Sequence, residues 1–140
     1  MKKRIEIFKD ELKHLNDYMD EALRLETELE LLEYDMANVR GIDYSKQSGT
    51  YNETAAQQKF LAMSEKKEKI EKEIKRNEEK IHSIAEVLQY MDQDERTLLI
   101  EVIADRRTYR EVCMERNIKN TSTLFSMING IIEAALKKKA

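Results

Sequence analysis

Between Phe60 and Met91 the chain keeps an unbroken alternation of three- and four-residue steps: Phe60, Met63, Lys67, Ile70, Ile74, Asn77, Ile81, Ile84, Leu88 and Met91. That period puts one narrow apolar line on a single face of an α-helix, the seam of a coiled coil. A strand would have to show the line on both faces, because its side chains alternate every second residue. The polar members, Lys67 and Asn77, are of the kind that fix register or partner number at some expense of stability. Outside the seam, Glu65–Lys69, Glu68–Lys72 and Glu71–Lys75 are i,i+4 pairs in the favoured orientation, each contributing about 0.3–0.5 kcal/mol. They describe a solvated face.

Residues 2–38 repeat the pattern. Ile5, Phe8, Leu12, Leu15, Met19 and Ala22 alternate by three and four, and Leu25, Leu29, Leu32 and Met36 resume after one extra step of three. The irregularity predicts a local overwinding of any supercoil. Proline is absent, which removes the strongest helix breaker. Residues 39–53 interrupt the pattern with two of the three glycines and a run of Ser, Thr, Asn and Asp, and predict a loop. Asn52 is placed to cap the next helix. Tyr44 and Tyr51 in this loop either stack on a partner or pack against the end of the hairpin. Two helices of nearly equal length joined by one loop predict an antiparallel hairpin over residues 1–93. Its thin two-helix core invites a homodimer, since four helices bury more apolar surface than two.

Residues 94–140 differ in character. Apolar positions widen at Leu98, Leu99, Val102 and Ile103, and short helices are predicted at about 94–105, 108–116 and 121–138. Asn117 suits the left-handed residue that ends the second, and Asn120 or Thr121 suits the cap of the third. This is a small helix-turn-helix domain. Val112 and Cys113 face inward, Cys113 as a small residue where two helices approach. Ile118 plugs the turn, and Leu124, Ile128 and Ile131 line the inner side of the last helix. Ser122, Phe125, Ser126 and Asn129 then face outward. The segment carries an excess of two positive charges, whereas residues 1–40 carry an excess of four negative ones, so affinity for nucleic acid belongs at the C-terminal end.

The order of motifs is Asp94-Glu-Arg-Thr-Leu-Leu, then Thr108-Tyr-Arg-Glu-Val-Cys, then Asn117-Ile-Lys. It resembles region four of bacterial sigma factors. With the preceding Val39-Arg-Gly-Ile-Asp-Tyr and Ser48-Gly-Thr, the chain over residues 30–136 resembles phage and prophage transcription regulators of the ArpU/RinA type. The resemblance implies DNA binding and control of phage gene transcription, with a recognition helix beginning at Thr121–Thr123. Thr121, Ser122, Thr123, Ser126 and Asn129 would then meet base edges or phosphates, and Arg106, Arg107, Arg110 and Lys119 would hold the backbone. The sequence departs from the family in having Asn117 where a glycine is usual and one extra residue between Ile118 and Leu124. Its last helix also lacks any Arg or Lys before Lys137. Arg to guanine is the commonest specific contact in the major groove. An adaptor whose coiled coil and helix-turn-helix bind RNA polymerase or a host factor, with Phe125 exposed as a protein contact and no sequence-specific DNA binding, is therefore the alternative to a DNA reader.

Other chemistry finds little footing. Cys113 is the only cysteine, so no intrachain disulfide forms and a reducing, cytoplasmic address is expected. Ile5–Phe8 is too short for a secretory core, and no apolar run of about 18 residues suits a membrane span. His14 and His82 stand alone on charged helices, away from metal-ligand spacing. The carboxylates alternate with lysines on solvated faces, and no phosphate loop or nucleophile–base arrangement is present. Neither an enzyme nor a cofactor is expected. Lys137–Lys139 is open to two readings, a solubilising helix end favoured by the dipole or a phosphate contact.

Overall fold

The computed structural model describes residues 1–45 and 53–140, with side chains over 1–39 and 54–140. Every regular element among them is helical: α1 (Lys2–Lys13), α2 (Leu15–Ser45), α3 (Glu53–Leu88), α4 (Gln93–Leu99), a π turn (Ile100–Ala104), α5 (Tyr109–Arg116) and α6 (Thr121–Lys139). The chain forms two compact units, one of residues 20–78 and one of residues 1–19 with 79–140.

The first unit is the expected hairpin, α2 packed against α3. Leu25, Leu32 and Ile70 are buried, with Leu29, Met36, Met63 and Ile74 packed against them. Lys67 occupies its seam position by reaching across to Glu33 at 3.5 Å, and Glu71 lies at 3.9 Å. The ammonium thus stays at the edge while its stem covers apolar surface. Asn77, the other polar seam residue, is buried.

Three sequence expectations are corrected. Residues 2–38 do not form one helix. The backbone breaks at His14, whose N–H turns back to the Glu11 carbonyl, and α2 starts at Leu15. Met19 is consequently half exposed rather than in the seam. Tyr18 takes its place, so that Leu15, Tyr18, Ala22, Leu25, Leu29, Leu32 and Met36 alternate by three and four without the extra step. The break in the helix removes the irregularity. Residues 39–45, read as the start of a loop, instead continue α2 to Ser45. The cap expected at Asn52 and the surroundings of Tyr44 and Tyr51 lie outside the described side chains.

The second unit joins parts that the sequence reading divided between residues 1–93 and 94–140. Ile5, Phe8 and Leu12 of α1 are buried in one cluster with Ile84, Val87, Leu98, Leu99, Val102, Val112, Leu124, Ile128 and Ile132. Three short helices have too little apolar surface to close a core alone, and α1 supplies a fourth wall. The break at His14 is fastened from this side. The Asn16 amide donates to the Ala104 carbonyl at 3.2 Å and to Asp105 at 3.0 Å, and Arg106 donates to the freed Lys13 carbonyl at 3.4 Å.

Local chemistry sets the remaining boundaries. Asp92 caps α4 in a reciprocal box: its carboxylate accepts from the Glu95 N–H at 2.8 Å, and the Glu95 side chain accepts from the Asp92 N–H at 3.0 Å. The following π turn closes with the Asp105 N–H donating to the Ile100 carbonyl at 2.8 Å. Its extra residue lets the chain reverse into the left-handed Arg106 (φ 54°) ahead of α5.

Candidate nucleic-acid interface

α5 and α6 are joined by residues 117–120, and each end of that turn is specified by one side chain. Thr108 caps the start of α5 by accepting from the Glu111 N–H at 3.3 Å. At its far end Asn117 is left-handed (φ 56°, ψ 41°), a conformation asparagine tolerates better than most residues. The Ile118 N–H then closes back on the Cys113 carbonyl at 2.9 Å, as in a Schellman end. Asn120 caps α6 by accepting from both the N–H (2.8 Å) and the hydroxyl (2.9 Å) of Thr123. Cys113 is buried beneath the turn, its thiol 3.5 Å from the Asn120 carbonyl. These two helices and their turn were all expected from the sequence.

The inner line of α6 differs by one position from expectation. Leu124, Ile128 and Ile132 are completely buried, whereas Ile131 is only partly so. α1 packs beside α6, and Ile132 lies in the same buried cluster as Ile5, Phe8 and Leu12. The same packing changes Phe125 and Asn129. The Lys9 ammonium sits 4.4 Å from the Phe125 ring centroid, a cation–π contact, and partial burial lowers the Lys9 pKa despite the nearby Glu6. Asn129 is half-buried, and its Oδ1 is enclosed without a hydrogen-bond partner beside a cleft of about 370 Å³ that Met1, Ile5 and Phe125 also line.

Among the residues singled out in the sequence, Thr121, Ser122, Thr123 and Ser126 are exposed on the first two turns of α6. Arg110 on α5 and Lys119 in the turn are exposed too, and neither takes part in an ion pair among the described residues. These six belong to one continuous stretch of helix, turn and helix. Arg106 is directed elsewhere, to the carbonyl end of α1 and to Asp17 at 4.0 Å. Arg107 is committed as well. It forms a two-pronged bond to Glu115 (2.8 and 2.6 Å) and has Glu101 at 3.6 Å and Glu111 at 3.8 Å. The pairing raises the Arg107 pKa and lowers that of Glu115. Arg116 reaches Glu101 at 3.4 Å.

On a helical projection, the side of α6 opposite its buried line carries the small, uncharged Ser122, Ser126, Gly130 and Ala134, with the Glu133–Lys137 ion pair on the same side toward the C-terminal end. A Cβ added at Gly130 would meet nothing within 4 Å. A ridge this low permits close approach of a flat or grooved surface. To one side lies a cleft of about 490 Å³ whose lining includes Leu98, Met127, Ile131 and Arg116. The terminal lysines are partly used internally: Lys137 pairs with Glu133 and Lys139 with Glu86, both at 3.2 Å.

Sequence reasoning missed α1 as a neighbour of α6, and with it Lys9. Nothing in the heptad pattern distinguishes Ile5, Phe8 and Leu12 from hairpin seam positions. His14 lies 3.3 Å from Asp17 and His82 3.0 Å from Glu86. Among the described residues no group of three His, Cys, Asp or Glu side chains is placed to hold a metal ion. No described helix is long and apolar enough to cross a membrane. Comparison with known proteins returns no matching family model, no matching curated protein and no matching solved structure.

Proposed function

We propose that the chain is a transcriptional regulator of phage type that engages DNA through α5 and α6 and self-associates through its hairpin. The observation that carries this reading is the capped α5–turn–α6 unit, with hydroxyls at Thr121, Ser122 and Ser126 exposed beside two uncommitted cations, and Thr123 held to the Asn120 cap. Hydroxyls contact phosphates and either kind of base edge, and the free N–H groups of a helix start favour phosphate. Arg110 and Lys119 supply phosphate contacts from the preceding helix and turn. The low ridge of Ser122, Ser126 and Gly130 lets the α6 backbone lie deep in a groove. Self-association is supported by the thin two-helix core.

Two phosphate contacts per head give a salt slope of about −1.8, and a dimer doubles it to about −3.6. The test is selection from a random duplex library with the full chain, followed by anisotropy titration of the enriched duplex from about 50 to about 200 mM salt. Enrichment of one sequence family with a slope in that range supports the proposal. No enrichment, or binding indifferent to sequence at the lowest salt, overturns it. Light scattering on the same sample tests self-association.

A second reading, an adaptor that contacts RNA polymerase or a host protein, is favoured by a separate observation. Arg107 and Arg116 are held by Glu115 and Glu101, and α6 itself offers no cation before Lys137, with Phe125 nearly half exposed at its side. Under that reading the duplex selection fails, while purified polymerase retains the chain and Phe125→Ser releases it.

A further inference from the structure

The hairpin has a second apolar line that its own fold leaves uncovered. Leu23, Leu31 and Tyr34 on α2 are 67%, 62% and 67% exposed. At about 100° per residue they lie on the side of α2 opposite Leu25, Leu29, Leu32 and Met36, the residues that face α3. Thr27 falls between them and completes steps of four, four and three. Single exposed leucines are ordinary. Three large side chains aligned over three turns of an otherwise charged helix match the anchor spacing by which one helix docks on another.

The charge around the line identifies what covers it. Residues 20–39 contain one basic side chain, Arg24, against seven acidic ones. Arg24 is already held by Glu21 and Glu28, and Glu33 by Lys67. Asp20, Glu26, Glu30 and Asp35 have no cation partner among the described residues. In projection Glu26 and Glu30 border one side of the apolar line, and Asp20 and Asp35 the other. Two copies packed through this face would set carboxylates against carboxylates, an arrangement that opposes pairing. A helix with Lys or Arg along both edges would instead neutralise them.

We propose that the outer face of α2 docks a basic amphipathic helix of a different protein, with Leu23, Leu31 and Tyr34 as the apolar anchors and Glu26, Glu30, Asp20 and Asp35 as the flanking charges. This surface lies on the hairpin and is independent of DNA binding by the head.

The test uses the full chain and a labelled synthetic peptide of about three heptads, with Leu at the seam positions and Lys on both flanks. Its twin carries Glu on the flanks. Anisotropy is expected to detect binding of the Lys peptide, weakened about ten-fold or more between about 50 and about 500 mM salt. Leu31→Ser and Tyr34→Ser, both at exposed sites, are each expected to weaken it by about ten-fold, with helicity by circular dichroism unchanged. The Glu twin is expected not to bind. Equal binding of the twin overturns the proposal, as does binding of the Lys peptide that ignores both Ser variants. Sedimentation showing that the chain alone is a dimer which Leu31→Ser or Tyr34→Ser dissociates overturns it too, because a second copy then covers the line.

Discussion

Truncating Phe8 to Ala separates a core role for α1 from a role as a detachable arm. Phe8 is 3% exposed and belongs to the same buried cluster as Val102, Leu124 and Ile128. Removing a ring from such a site costs about 3–5 kcal/mol, the lost transfer energy plus the cavity left by neighbours that close only partly. Against a typical domain stability of about 5–15 kcal/mol, that is a large share. The expected result is not confined to α1. If the cluster is one cooperative unit, the slowest-exchanging amides of α5 and α6 lose about 140- to 3700-fold in protection, since each factor of ten is about 1.4 kcal/mol. Hydrogen exchange with mass spectrometry reads this segment by segment. Ile7→Ser, at a half-exposed neighbour on the same helix, is the control and is expected to change stability by less than about 0.5 kcal/mol. The reasoning is refuted if Phe8→Ala deprotects α1 while residues 109–139 keep their wild-type exchange.

Asn120→Ala removes a cap that holds both the N–H and the hydroxyl of Thr123, and is expected to cost about 1 kcal/mol in urea denaturation. Gly130→Ala meets no atom within 4 Å and replaces a poor helix former in mid-helix, so it is expected to stabilise by about 0.5–1 kcal/mol. On the proposed function the same substitution raises the ridge and weakens DNA binding, so stability and affinity move in opposite directions. Glu115 has its pKa lowered in the fold by Arg107 from an ordinary value near 4.5. The stabilisation from this pair is therefore complete above the unfolded pKa and fades as pH falls through the folded one. Glu115→Gln is expected to lower Tm at pH 6 and to flatten the decline of Tm as pH falls below about 4.5.

Much of this fold is legible because its signals are local. The seam from Phe60 to Met91, the left-handed Asn117 and the caps at Thr108 and Asn120 each depend on residues a few positions apart. The partition of α1 depends on which of two apolar surfaces Ile5, Phe8 and Leu12 meet, and both accept the same three–four spacing. One conflict did point to it. The extra step after Ala22 disappears once the helix breaks at His14 and Tyr18 replaces Met19, with Lys80 over its ring at 5.2 Å. At the candidate site, the hydroxyl-bearing start of α6 was visible from the cap pattern. The fate of the arginines was not, since Arg107 finds Glu115 eight residues away across a helix start and Arg106 finds a carbonyl of α1. Ranking cations by proximity in sequence treats all four as alike, whereas the fold leaves only Arg110 and Lys119 uncommitted.

The claim that the outer ridge of α6 lies against DNA is tested most directly by one titration. The duplex enriched by selection is titrated with wild-type chain and with Ser126→Asp, a change at an exposed position that adds a negative charge to the middle of the ridge. The account expects Ser126→Asp to bind at least about ten-fold more weakly at the same salt, with the head as stable as before. Unchanged affinity for the selected duplex would mean that another surface makes the contact, and the assignment of α6 as the reading helix would be withdrawn.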